Sequence, residues 1–141
     1  MDRTDTLLLL CDFCVTKEPD SQAVEKIRKV AQKLDEYDDD VPGLLDGVTD
    51  ILIGIRRIFS NGFGLMSFIR QGVLHVGYMN DDILTYREDE FEEFLSAIAP
   101  FSEGFMQFCV DGEQIVRYVA EDGVIERWET PSYSSWIIRT L

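Results

Sequence analysis

Apolar residues recur at helical spacing between residues 20 and 37, where Val24, Ile27, Val30, Ala31 and Leu34 form one face and Lys26, Arg28, Lys29 and Lys33 lie outward. Asp20 or Ser21 can cap that helix. A second helical repeat runs through residues 44–60 (Leu44, Val48, Ile51, Leu52, Ile55, Ile58 and Phe59) and stops at Asn61-Gly62. A third covers residues 88–99, with Phe91, Phe94, Leu95 and Ile98 as its stripe, Glu88, Asp89 and Glu90 in the first turn, and Pro100 as its stop. From Gly64 the period changes to two. Leu65, Ser67 and Ile69, the turn Gln71-Gly72, and Leu74, Val76 and Tyr78 predict a hairpin in which Phe68 faces His75. Asn80-Asp81-Asp82 reads as a further turn and Ile83 to Tyr86 as a short strand.

The stretch from Gly104 to Trp128 predicts three strands joined at Asp111-Gly112 and Asp122-Gly123. Asp-Gly between alternating residues signals a tight hairpin, because both central residues of a type I′ turn need positive φ. Pairing about these turns places Met106, Phe108, Val110, Ile115, Val119, Val124 and Trp128 on one face with Glu113, Arg117 and Glu126. The other face then holds Phe105, Gln107, Cys109, Gln114, Val116, Tyr118, Ala120, Ile125, Arg127 and Glu129. Residues 135–141 read as a closing strand. Residues 5–15 are ambiguous: Leu7, Leu10, Cys11 and Cys14 share a helix face, yet a continuous apolar run also suits a buried strand. The leucines, which are not β-branched, and a cap at Thr4 or Asp5 favour helix. The expected architecture is therefore α+β over residues 1–141 as one domain: N-terminal helices, then an antiparallel β hairpin, a helix and a three-stranded β meander.

Charge is more distinctive than composition. The 27 acidic and 13 basic residues give a formal net charge of −14. Residues 1–80 hold 13 acids and 9 bases, and residues 81–141 hold 14 acids and 4 bases, so the field is concentrated on the part that contains the meander. Such a field repels nucleic acid and anionic membranes and attracts basic partners. No apolar run approaches the length of a membrane span, and no signal peptide is evident, which predicts a cytoplasmic chain.

Chemical motifs are sparse. Cys11 and Cys14 form C-x-x-C, and with Cys109 and His75 they supply zinc-ligand types, but a second C-x-x-C is missing. His75 is the single histidine, through which any Ser-His or Cys-His catalysis would run. Neither Asp35–Asp46 nor Asn80–Glu88 fits the EF-hand loop, and Ser60-Asn61-Gly62-Phe63-Gly64 lies between a helix and a strand, the reverse of a dinucleotide fingerprint. No catalytic constellation, metal site or cofactor is expected.

The function expected is a small acidic module that binds and blocks or regulates a basic protein partner, such as a toxin or a nucleic-acid-binding protein. Immunity proteins and antitoxins share this general character, a likeness of composition without a shared motif. The contact residues expected are Asp81, Asp82, Glu88 and Glu92, with Glu113, Tyr118, Glu121, Asp122, Glu126 and Trp128 around the meander. The alternative is a scaffold subunit acting as a homodimer through a sheet edge or through Trp128 and Trp136. A small enzyme or zinc protein using Cys11, Cys14 and His75 is the third choice.

Overall fold

A computed structural model describes residues 6–37, 43–79, 87–130 and 135–141. The first described element is a strand, β1 (Thr6–Val15), and the expectation of N-terminal helices is thereby corrected. Helices α1 (Ser21–Asp35) and α2 (Ile51–Arg57) follow, the latter continued by a π-helical turn over Ile58–Gly62. The hairpin β2 (Leu65–Arg70) and β3 (Val73–Met79) comes next, then α3 (Glu88–Ile98), β4 (Ser102–Val110), β5 (Gln114–Glu121), β6 (Val124–Thr130) and β7 (Ile137–Thr140). The seven strands form one antiparallel sheet in the order β2-β3-β1-β4-β5-β6-β7. Hairpin and meander are thus not separate pieces, since β1 pairs with β3 on one side and β4 on the other.

Leucine's modest helix preference loses here to pairing on both edges of β1. Strand alternation splits the apparent helix face: Cys11 turns inward opposite Met106, while Leu7, Leu10 and Cys14 lie outward, Leu7 and Leu10 sharing that side through a register shift between Leu8 and Leu10. After it, Phe13 and Val15 are buried, while Asp12 between Cys11 and Phe13 is exposed.

Helix α1 conforms to its pattern. The Asp20 carboxylate accepts from the Ala23 amide at 2.9 Å, and Ala23, Ile27, Val30, Ala31 and Leu34 are buried. The expected helix over 44–60 is shortened at its start. Gly47 takes a left-handed φ of +73°, and Asp50 caps the later start by accepting from Leu52 N at 3.0 Å. The turn expected at 80–82 and the strand at 83–86 lie outside the described residues.

All the large buried aromatics meet on one side of the sheet. Phe59 stands edge-on to Phe94 (5.0 Å between centroids), Phe63 to Phe91 (4.9 Å) and Phe91 to Tyr118 (5.5 Å). Each fully buried ring contributes about 1.5–3 kcal/mol by leaving water. Helices α1 and α3 are also tied across their outer seam by Lys33 to Glu93 at 2.8 Å, an exposed pair of small energetic weight.

The two Asp-Gly turns form as expected, with φ of +55° and +71° at Asp111 and Gly112 and +55° and +83° at Asp122 and Gly123. The loops differ in length, however. Glu121 pairs with Val124, a two-residue loop, whereas Val110 pairs with Gln114, leaving Asp111, Gly112 and Glu113 between them. That extra residue reverses the expected facing of β4 relative to β5, because a one-residue slip moves every side chain to the opposite face. Met106, Phe108 and Val110 therefore lie with Val116, Tyr118, Ala120, Ile125 and Arg127 on the buried face.

Candidate interaction surface

The inner face of the sheet carries the helices and the core, and the outer face is left to solvent among the described residues. Along β4, β5 and β6 burial alternates residue by residue: Met106, Phe108, Val116, Tyr118, Ile125 and Arg127 are buried, and Phe105, Gln107, Ile115, Arg117, Val119 and Trp128 are half-buried. The cross-strand row Leu10, Gln107, Arg117, Trp128 and Ile138 runs across five strands of this outer face. A neighbouring row holds Asp12, Phe105, Val119, Glu126 and Thr140. Leu7, Leu10 and Ile138 are each about half exposed, at 48%, 54% and 48%.

Carboxylates border this apolar surface. Asp12, Glu103, Glu121 and Glu126 share its face by register, and none of the four joins an ion pair among the described residues. The β4–β5 loop adds Asp111 and Glu113 at one end of the sheet, and the β5–β6 turn adds Asp122 at the other.

Beside the first row, Trp136 meets Trp128 edge-to-face at 5.9 Å between centroids. The Arg117 guanidinium lies 5.0 Å from the Trp136 ring centre and 6.0 Å from that of Phe105. Its Nε donates to Gln107 Oε1 at 2.8 Å, and Trp128 Nε1 donates to Glu126 Oε1 at 3.3 Å.

The contact residues read from the sequence divide between this surface and the opposite side of the sheet. Glu126 and Trp128 lie on the outer face, and Glu113, Glu121 and Asp122 are exposed at its two ends. Asp81 and Asp82 lie outside the described residues. Glu88, Glu92 and Tyr118 belong instead to an ion cluster on the inner face. Arg127, with 7% of its side chain exposed, pairs with Glu88, with Glu92 at 2.5 Å and with Glu129 at 3.4 Å. Glu92 also accepts from Tyr118 Oη at 2.9 Å and Arg139 at 2.7 Å. Tyr118 is fully buried, which removes it from any contact surface. The sequence points to Trp136 as a contact only in the homodimer alternative, and to Phe105 and Arg117 not at all. The detectable signal was the alternation of β5 and β6, which places Arg117 beside Trp128.

The cysteines separate. A three-residue step along a strand reverses side, so Cys11 faces inward and its thiol donates to Val76 O at 3.2 Å, while Cys14 lies outward with its Sγ 3.7 Å from His75 Nδ1. His75 in turn stacks on Phe68 at 5.1 Å, as the hairpin register predicts. Cys11 is therefore turned away from the adjoining Cys14 and His75, and no group of three metal-ligating residues forms among the described residues.

Burial pushes the Cys11 thiol up to about 11, and burial followed by the nearby Asp12 and Glu103 carboxylates raises Cys14. Because the folded value lies above the unfolded one, the stability contribution of protonated Cys11 is complete below about pH 9 and is lost as pH rises towards 11. At pH 8 the folded chain should react with a thiol-specific disulfide reagent more slowly than the urea-unfolded chain, with Cys11 the slower of the two. Native labelling of both thiols at the unfolded rate would contradict these environments.

A shallow cleft of about 190 Å³ lies between Glu18–Arg28 and Leu45–Ile51. It is smaller than the about 300–1,000 Å³ of typical small-molecule sites. No helix among the described residues is long and apolar enough to cross a membrane. The chain matches no known family model, no curated protein and no solved structure.

Proposed function

We propose that the chain is a protein-binding module that docks a basic protein through the outer face of its sheet and so blocks or regulates it. The observation that carries this reading is the one-sided covering of the sheet. All the large buried aromatics lie on the inner side, while the outer side presents half-exposed aromatics and leucines bordered by Asp12, Glu103, Glu121 and Glu126. Aromatic residues and arginine are the types enriched at binding hot spots, and a carboxylate rim selects a cationic partner. The net charge of −14 opposes close approach of a second copy and favours a basic occupant.

The reading is tested by association kinetics with basic proteins recovered from the native host. The on-rate should fall at least about tenfold as ionic strength rises from about 0.01 to 0.15 M, because the Debye length shrinks from about 30 to 8 Å. Glu121→Lys combined with Glu126→Lys should lower it at fixed salt. An on-rate indifferent to both changes would defeat the proposal. So would a tight self-dimer in sedimentation that buries the outer face, which is the homodimer alternative; the free edges β2 and β7 are where such a dimer would pair without covering that face.

A further inference from the structure

We propose that Phe105, Trp128 and Trp136 form a cage for a guanidinium group, occupied in the isolated chain by Arg117 and taken in the complex by an arginine side chain of the basic partner. The inference rests on the basic-partner reading and adds the position and chemistry of its central contact.

The chain supplies its own stand-in for the ligand. Arg117 lies over the Trp136 ring at 5.0 Å and over the Phe105 ring at 6.0 Å, within the distance of a cation-π contact. Trp128 closes the group edge-on to Trp136. Arg117 is weakly held for a cation in so acidic a chain. It makes no ion pair among the described residues, and its described hydrogen bond is the one from Nε to Gln107. Arg127, the neighbouring arginine on the inner face, engages three carboxylates. The contrast separates an arginine locked in place from one resting on a surface.

A carboxylate stands beside the cage, since Glu126 accepts from Trp128 Nε1 at 3.3 Å. An incoming guanidinium would meet ring faces and a carboxylate together. Lysine fits less well, being a compact and strongly hydrated point charge that does not stack.

Trp128 and Trp136 are the two tryptophans of the chain, so intrinsic tryptophan emission reports on this site alone. The probe is a blocked tetra-arginine peptide, with blocked tetra-lysine for comparison, followed in parallel by emission and by calorimetry. Tetra-arginine should shift the emission saturably and bind more tightly than tetra-lysine. Arg117→Ala, which vacates the cage, should tighten binding several-fold, and Trp136→Leu should weaken it about tenfold. Phe105→Leu provides a second variant should Trp136→Leu fail to give the wild-type circular dichroism spectrum.

Heat of binding without an emission change, or equal affinity in Trp136→Leu and Phe105→Leu, would place the peptide elsewhere on the acidic surface. That result overturns the cage and leaves the basic-partner reading standing. Absence of binding by both methods, in wild type and in Arg117→Ala, likewise overturns the cage; the broader reading is then judged by its own salt-dependent kinetics with folded basic proteins.

Discussion

Gly104→Ala should bring the chain to the edge of unfolding under conditions where the parent is native. Gly104 lies in β4 opposite Phe13 of β1 and Ala120 of β5, at a φ of +102°. A Cβ there would lie 1.8 Å from the Asp12 carbonyl oxygen, 2.8 Å from its carbon and 3.1 Å from Phe13 Cα. All three are backbone atoms of a strand held on both sides, so no rotamer change relieves the clash. Relief requires β1 and β4 to separate, and that opens the ladder beneath Phe13 and Val15, both essentially unexposed. The backbone strain of a positive φ adds to the clash. The expected loss exceeds about 4 kcal/mol, a large share of the about 5–15 kcal/mol that holds a typical domain. Urea unfolding followed by far-ultraviolet circular dichroism measures it. Gly123→Ala is the internal control: its φ is +83° with nothing within 4 Å of the added carbon, so its cost is the conformational one of about 1–2 kcal/mol. A Gly104→Ala midpoint equal to that of Gly123→Ala would mean that β1 and β4 do not pair in the register described.

What the sequence made legible follows from the distance over which each feature is encoded. Helices α1 and α3 are readable because their start signals and stripes sit within one element: the Asp20 cap for α1, and the first-turn acids Glu88 to Glu90 for α3. The Asp-Gly turns were readable for the same reason. Strand β1 was not, because its state is decided by β3 and β4, neighbours about 60 and 90 residues away, and a run of leucines carries no period that separates helix from strand. The facing of β4 failed on one residue, Glu113, whose place in the loop is a matter of register and leaves no mark on the alternation either side. On the candidate surface, Glu126 and Trp128 were found because β6 alternates cleanly. Trp136 is legible as a homodimer contact, but its packing on Trp128 and Arg117 arises across the sheet, which spacing does not encode. Glu92 and Tyr118 look like surface groups in the sequence, because a carboxylate on a helix and a tyrosine on a strand give no sign that Glu92 meets both Tyr118 and Arg127.

Arg127→Ala should destabilise the fold by about 3–5 kcal/mol, the cost of removing one partner from a buried ion pair. The guanidinium sits where β6 meets α3, engaging Glu88, Glu92 and Glu129, with its Nε buried and without a hydrogen-bond partner. Its loss leaves Glu92, only 13% exposed, with Tyr118 and Arg139 to satisfy it and with Glu88 one helical turn away as an uncompensated like charge. The energy lost is mainly that of stranding a carboxylate, and this distinguishes the cluster from a simple sum of attractions. Arg127→Met with Glu92→Leu should therefore recover most of what Arg127→Met alone loses, since replacing both charges by apolar groups of similar size avoids the desolvation cost. A double-mutant cycle from urea midpoints gives the coupling directly. If Arg127→Met alone costs under about 1 kcal/mol, the cluster is solvated in solution and the assignment of Glu92 to the interior fails. The consequence reaches the outer face, because Arg127 lies between Glu126 and Trp128 on the same strand. The contact that fixes β6 against α3 from inside is the one that holds those two side chains in register on the surface proposed for docking.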